Sequence, residues 1–232
     1  MIVALNNKSN LNRQDFLEYC QKLEGLETDS NMILCPTFLN VSISSLKKIK
    51  LGAQNVSTTN DGAFTGEISA SQLKSQGVQY TIIGHSERRE YQKESVEEIH
   101  NKLLRLLEND IVPILCIGET LEERKDNKVE SVLEKELLTA IENLTEEEKE
   151  KIIVAYEPIW SIGTGVIPTR EEIEAVFHFI KTILPNNKIL YGGSANEENI
   201  DMLKEISMID GYLLGGLSLK PEKLQVFLNK LK

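Results

Sequence analysis

Cysteine, histidine and tryptophan are scarce in this chain, and positive charge is in deficit. Its 232 residues hold three cysteines, three histidines and one tryptophan. Cys20, Cys35 and Cys116 lack metal-ligand spacing and cannot all pair with one another, which points to reduced thiols and a cytoplasmic protein. Lysine and arginine number 26 against 36 aspartates and glutamates, a formal net charge of −10. That balance speaks against nucleic acid or an anionic membrane as partner. An anionic ligand would gain nothing from bulk charge, so a few fixed donors would have to hold it: a lysine, backbone N–H groups and helix N-termini. No apolar run nears the roughly 20 residues that span a bilayer. Met1 to Leu5 is apolar too briefly, and without basic residues, to act as a secretion signal; it reads as a first strand. No linker, low-complexity stretch or composition break divides the chain, so residues 1–232 are expected to form a single domain.

What the chain does have is alternation. Short apolar runs read as strands at Ile2–Leu5, Met32–Cys35, Leu51–Val56, Tyr80–Gly84, Val112–Ile117, Ile152–Glu157, Ile189–Tyr191 and Gly211–Leu214. Amphipathic segments lie between them. Ile173, Val176, Phe177, Ile180 and Leu184 fall on one helical face, behind a capping box of Thr169 and Glu172. Ser95 and Glu98 open another helix, and Pro221 starts the last one. The polar stretch Glu142–Lys151 reads as a charged surface turn. Eight near-continuous apolar strands, each followed by a helix, imply an all-parallel sheet. The length suits a (β/α)8 barrel of the α/β class, typically about 250 residues. The runner-up, a doubly wound open sheet, usually carries a Gly-rich fingerprint after its first strand; here that strand runs into Asn6-Asn7-Lys8.

In such a barrel the functional groups gather at the C-terminal strand ends. Asn6 and Lys8 follow the first strand. His85, Ser86 and Glu87 follow the fourth, and Glu157 ends the sixth. Gly192-Gly193-Ser194 follow the seventh, and Gly215-Gly216 the eighth. A period of two puts Glu157 on the face of Ala155 and Ile153, and His85 on that of Ile83 and Thr81. Pro158 forces Glu157 into extended geometry at the strand's last position. Beyond it, a stiff start at Pro158 and Trp160 and a permissive end at Gly163 and Gly165 are the make-up of a lid. A carboxylate under a hinged cover is a candidate general base; the bland alternative is a capped strand and an ordinary loop. His85 at the start of a short helix, with Ser86 as its cap, would be held neutral by the helix's partial positive charge. The glycine pairs and Ser194 sit where barrels build phosphate sites, and Gly163 can add an N–H on closing. The long connection Asn55–Glu67 carries Phe64 between Gly62 and Gly66, and such a loop is usually functional or interfacial.

Taken in order along the whole chain, these residues resemble the triosephosphate isomerase family. The resemblance rests on Asn6-x-Lys8, Gly52-Ala53-Gln54-Asn55-Val56, Gly62–Glu67, Ile83-Gly84-His85-Ser86-Glu87-Arg88-Arg89 and Cys116-Ile117-Gly118-Glu119. Further along it rests on Ala155-Tyr156-Glu157-Pro158 with Trp160 and Ile162–Gly165, on Tyr191-Gly192-Gly193-Ser194, and on Gly215-Gly216 with Ser218-Leu219-Lys220-Pro221. It implies a homodimer joined through the Asn55–Glu67 loop, with Thr65 near the other subunit's site. It also implies a glycolytic, gluconeogenic and pentose-shunt isomerase of triose phosphate that uses no cofactor and no metal. Catalysis would fall to Glu157 as base, His85 as neutral electrophile and Lys8 as cation. Asn6, Lys8, Gly163, Ser194, Gly215 and Gly216 would bind substrate, with Glu87 supporting. This family is itself the standing example of a carboxylate base, a neutral histidine and lid closure, so those roles come with the resemblance.

The chain departs from the family at three places: Asn7 replaces a usual aromatic, Val166-Ile167-Pro168 replaces the usual lid hinge, and Lys181 replaces a common arginine. Two other readings stand beside the isomerase. A barrel acting on another phosphosugar is one; a Schiff-base aldolase would need a strand-end lysine where the sixth strand offers Glu157. A barrel that holds a phosphate ligand without turnover is the other.

Overall fold

Short apolar segments flanked by polar turns can bury both their faces only between two layers, and here the strands form the wall between an inner and an outer core. The computed structural model describes residues 1–232 other than 44, 45, 165 and 232. The strands are β1 (Ile2–Asn6), β2 (Asn31–Cys35), β3 (Lys50–Ala53), β4 (Tyr80–Ile83), β5 (Val112–Ile117), β6 (Ile153–Tyr156), β7 (Ile189–Tyr191) and β8 (Gly211–Leu214). They pair in parallel, in sequence order, and β8 closes on β1. The helices are α1 (Arg13–Glu24), α2 (Phe38–Val41), α3 (Ala70–Ser75), α4 (Ser86–Tyr91), α5 (Val96–Glu108) and α6 (Leu121–Lys125). After them come α7 (Val129–Ala140), α8 (Glu146–Glu150), α9 (Arg170–Ile183), α10 (Ile200–Leu203) and α11 (Pro221–Lys230). This is the expected (β/α)8 barrel.

Alternation along the strands sorts the side chains. Ala4, Ile33, Ile82, Cys116, Ala155 and Leu190 fill the barrel. Their neighbours Leu5, Leu34, Ile83, Leu115, Tyr156 and Tyr191 face the helices. Edge-to-face pairs lock the outer layer: Tyr156 against Phe177 at 6.1 Å and Tyr212 against Phe227 at 5.2 Å between ring centroids. Such pairs add roughly 0.5–1.5 kcal/mol beyond area burial. Cys20, Cys35 and Cys116 are free and buried. Among the described residues no helix is long and apolar enough to cross a membrane.

The expected capping boxes Ser95/Glu98 and Thr169/Glu172 both form. Two local expectations are corrected. Glu142–Lys151 is not merely a turn: Thr145 and Glu148 form a capping box and open α8. An exposed five-residue helix buries no face, so it shows no apolar stripe, and the cap alone announces it. The third strand also stops at Ala53 rather than Val56. There the side chain of Gln54 turns away and donates to the carbonyls of Lys8 and Cys35, both at 2.9 Å.

Candidate active site

The C-terminal strand ends surround a cavity of about 410 Å3. That lies within the usual range for a small-molecule site. Asn6, Lys8, His85, Glu157, Gly163, Ser194, Gly215 and Gly216 all line it. Glu87 stands just behind, so the structure brings together every site residue expected from the sequence.

Glu157 continues the β6 ladder, its N–H donating to Ile117 O at 2.7 Å. The approach is so close that a Cβ on Gly118 would lie 1.7 Å from Glu157 O. Only glycine at the end of β5 lets β6 deliver its carboxylate to this point. The carboxylate is buried, and both its oxygens are engaged. Oε1 lies 3.0 Å from His85 Nε2, and Oε2 accepts the Ser86 N–H at 3.1 Å. Burial pushes its pKa up, but His85, the Ser86 N–H and Lys8 outweigh burial and hold it below the ordinary value.

His85 reaches the cavity by a route that simple alternation misses. Ile83, its expected companion, faces the helices, and it is Ile82 that points into the barrel. Gly84 breaks the alternation: its φ of +69° turns the chain, and His85 swings to the mouth. Ser86 is not the cap of α4. His85 caps it, with Nδ1 accepting the Glu87 N–H at 3.2 Å, and Ser86 is the first helical residue. In the neutral ring Nδ1 is then the acceptor, and Nε2–H faces Glu157. Burial, the largest influence on His85, opposes the charged ring; Glu157, and behind it Glu87, nevertheless pull its pKa above the ordinary value. That pull belongs to the parked pair. Apart from that pair, burial and the helix N-terminus both favour neutral imidazole.

Lys8 sits opposite. Its backbone has φ +51°, uncommon for a residue with a side chain. It is held there on three sides. Its N–H donates to Asn6 Oδ1 at 3.0 Å, its carbonyl accepts from Gln54, and its ammonium meets Glu87 Oε1 at 2.6 Å. Glu87 thus serves both neighbours, with its other oxygen 3.7 Å from His85 Nδ1.

The β7 and β8 loops line the cavity with Ser194, Gly215 and Gly216, and the Ser194 N–H donates to Ser161 Oγ in the lid after β6 at 3.4 Å. Gly163 N–H is occupied, donating to Ser194 Oγ at 3.1 Å; that hydroxyl donates to Ser161 O at 2.5 Å. Ser161 Oγ donates to Val166 O at 2.6 Å, so the lid is tied down at its tip. Gly165, the lid's second expected glycine, lies outside the described residues. The lid's start is tied by Trp160, whose indole N–H donates to Glu119 Oε1 at 2.9 Å.

Glu119 is the residue that sequence reasoning passed over. It is fully buried and also takes Arg124 Nε at 2.9 Å and the Tyr156 hydroxyl at 3.2 Å. Arg124 in turn lies over the Trp160 ring, 5.2 Å from its centroid. A carboxylate directly after an apolar strand, beside Gly118, was the available signal.

A buried carboxylate touching an imidazole, a lysine across the cavity and a cradle of loop N–H groups suit proton transfer on a small anionic molecule. On a (β/α)8 barrel this defines a class: barrel enzymes acting at the strand ends. The family is given by sequence comparison. A family model described as triosephosphate isomerase matches residues 1–231. The triosephosphate isomerase of Francisella tularensis subsp. holarctica is 38% identical, over 99% of this chain and 96% of its own length. That of Clostridium botulinum (strain Langeland / NCTC 10281 / Type F) is 38% identical over 98% of each. The chain belongs to the triosephosphate isomerase family.

Proposed function

We propose that this chain interconverts dihydroxyacetone phosphate and D-glyceraldehyde 3-phosphate, acting as one barrel domain with the residues above in the following roles. Glu157 leaves His85 and Ser86, takes the proton from the carbon beside the carbonyl, and returns it to the neighbouring carbon. His85 Nε2–H polarises the carbonyl and moves a proton between the two oxygens. Lys8 and Asn6 stabilise the enediolate as charge develops. The N–H groups of Gly163, Ser194, Gly215 and Gly216 hold the phosphate. Gly163 exchanges its bond to Ser194 Oγ for one to the ligand as the lid seats, and water is shut out.

One observation carries this reading: a carboxylate at a strand end, 2% exposed, rests on the imidazole it would work beside. Parked there it is held ionised, with a proton acceptor's charge and no solvent to blunt it. The test is a coupled assay of the purified protein with glyceraldehyde 3-phosphate and no added metal or cofactor. Turnover that disappears in Glu157→Gln supports the proposal; an inactive wild type overturns it.

The same reading includes a cytoplasmic homodimer. Asn55 accepts from Lys102 Nζ at 2.7 Å, and Ser57 N–H donates to Ile68 O at 2.8 Å, so the base of the 55–67 loop is fixed. Its tip leaves Phe64 48% exposed. Burying that exposed half in a partner is favourable by roughly 1 kcal/mol. Thr65→Glu with Phe64→Ser should give a folded monomer of strongly reduced turnover. A double variant that stays dimeric and active removes the loop from the interface.

A further inference from the structure

Asn7 lies between two site residues yet faces away from the cavity, and it is almost fully buried. Its amide Nδ2 donates to Ser218 Oγ and to Tyr19 Oη, both at 3.2 Å. Its Oδ1 is buried with no donor among the described residues. Ser218 Oγ donates to Asn6 O at 3.2 Å, and Tyr19 O–H donates to Ser218 O at 2.7 Å. Ser218 N–H donates to Gly215 O at 2.9 Å, which fixes Ser218 to the β8 loop. Four residues from β1, α1 and the turn after β8 thus form one closed set of hydrogen bonds at the barrel's closing seam. On its cavity side the seam brings Lys8 against the β8 loop: a Cβ on Gly215 would lie 3.1 Å from Lys8 Cε.

From this arrangement we infer that Asn7 is a positioning residue, which fixes the substrate-facing Asn6–Lys8 segment against the phosphate-facing Gly215–Gly216 loop. The inference rests on the isomerase reading above and adds a residue to it. The chain of cause is short. Lys8 holds a left-handed backbone conformation that persists only where its surroundings over-determine it. Asn7 is its neighbour, and the amide sets where Ser218, and through it the β8 loop, stands relative to that segment. A shift of the loop along the seam changes the distance between the ammonium and the phosphate grip, and misplacements of about 1 Å can cost on the order of 100-fold in rate.

The amide is not needed to satisfy its partners. Tyr19 O–H and Ser218 O–H each donate elsewhere, to Ser218 O and Asn6 O. A leucine at position 7 would therefore orphan no donor and would remove a buried oxygen that has no protein partner. An Asn7 that only fills space should be replaceable by leucine without harm to catalysis. A positioning Asn7 should not.

The experiment compares wild type, Asn7→Leu and Tyr19→Phe at one temperature well below melting. It measures Tm, kcat and KM with glyceraldehyde 3-phosphate, and inorganic phosphate binding by calorimetry. Asn7→Leu is expected to keep or raise Tm, lower kcat about tenfold and weaken phosphate binding about threefold, while Tyr19→Phe gives smaller losses of the same pattern. Adding Tyr19→Phe to Asn7→Leu should cost little more, because the two act through one unit. Unchanged kcat and phosphate affinity in Asn7→Leu overturn the inference. So does an Asn7→Leu protein that melts much earlier or fails to fold, since that makes the amide structural. If the wild type itself does not isomerise the substrate, the isomerase reading fails, and the phosphate titrations still decide whether Asn7 sets the loop.

Discussion

The two halves of the cavity are built by opposite means. On the β4–β6 side, long side chains do the work, and they are buried and mutually bonded. Glu157 is held by His85 and Ser86, His85 by Glu87, and Glu119 by Arg124, Tyr156 and Trp160. On the β7–β8 side, and in the lid that lies over it, the groups proposed to hold phosphate are backbone N–H donors. Gly163 and Ser194 there already bond to each other. A proton transfer needs atoms placed within fractions of an ångström, and interlocked side chains supply that. A phosphate that must enter and leave needs donors that can change partners, and loop amides supply that. Changes on the first side should therefore act on kcat or on stability, and those on the second on KM.

The largest expected effect is at Glu157. Glu157→Gln removes the proposed base and should lower kcat on the order of 1000-fold with KM little changed. Glu157→Asp keeps the charge but withdraws it by a methylene, for a loss of about 100-fold. His85→Gln should also lose about 100-fold in kcat, because the polarising bond matters most as charge develops. If either loss appears in KM instead, the division between the halves is wrong at its centre. Next comes Glu119→Ala. It strips Arg124, Tyr156 and Trp160 of a shared partner inside the protein and should cost about 3 kcal/mol in urea unfolding, with a faster-cut lid. An unaltered unfolding midpoint would show that the network is decorative.

Much of this was legible beforehand because barrels write themselves plainly. Strands buried on both faces are apolar throughout, so runs such as Val112–Ile117 stand out, and strand ends name the site. What escaped has local causes. The facing of His85 followed from the +69° φ at Gly84, and an alternation rule has no means of seeing a left-handed glycine inside a strand–helix junction. The cap of α4 went to His85 rather than Ser86 because imidazole Nδ1 can accept an N–H as a serine hydroxyl does. Glu119 belongs to a legible motif, but its role does not show there, since a carboxylate's partners, here Arg124 and Trp160, come from other segments. Asn7 departs from the family by residue type alone in the sequence, and only the folded chain has its amide spanning the seam to Ser218.

On the phosphate side the expected effects are smaller. Ser194→Ala deletes the hydroxyl that accepts from Gly163 and donates to Ser161. The Ser194 N–H proposed to hold phosphate survives and Gly163 N–H loses its competing acceptor, so KM for glyceraldehyde 3-phosphate should fall severalfold, less than the roughly tenfold scale of one hydrogen bond near a charged group, with kcat nearly kept. A fall in kcat with constant KM would mean that the lid's latch also sets the chemistry, and the two halves would no longer be separable.

The smallest effect needs no turnover at all and concerns the parked pair. Glu157 is the chief influence raising the His85 pKa, against burial. In Glu157→Gln that influence is gone, so the His85 pKa should drop, followed by ring-proton or ring-nitrogen NMR. The pair also has a stability signature with a definite sign. His85, raised in the folded state, contributes stability that is full below its ordinary value of 6.5 and is lost as pH rises through the folded value. Glu157, lowered in the folded state, contributes stability that is present above its ordinary value of 4.5 and is lost as pH falls through the folded value. Both contributions coexist between 4.5 and 6.5, so the margin of wild type over Glu157→Gln should be widest there and shrink on either side. Urea titrations at acidic, intermediate and alkaline pH measure it. A margin flat with pH, or a His85 pKa that rises in the variant, would show that the imidazole takes its state from the helix end alone, and the interlocking that separates this half of the cavity from the other would not extend to its protons.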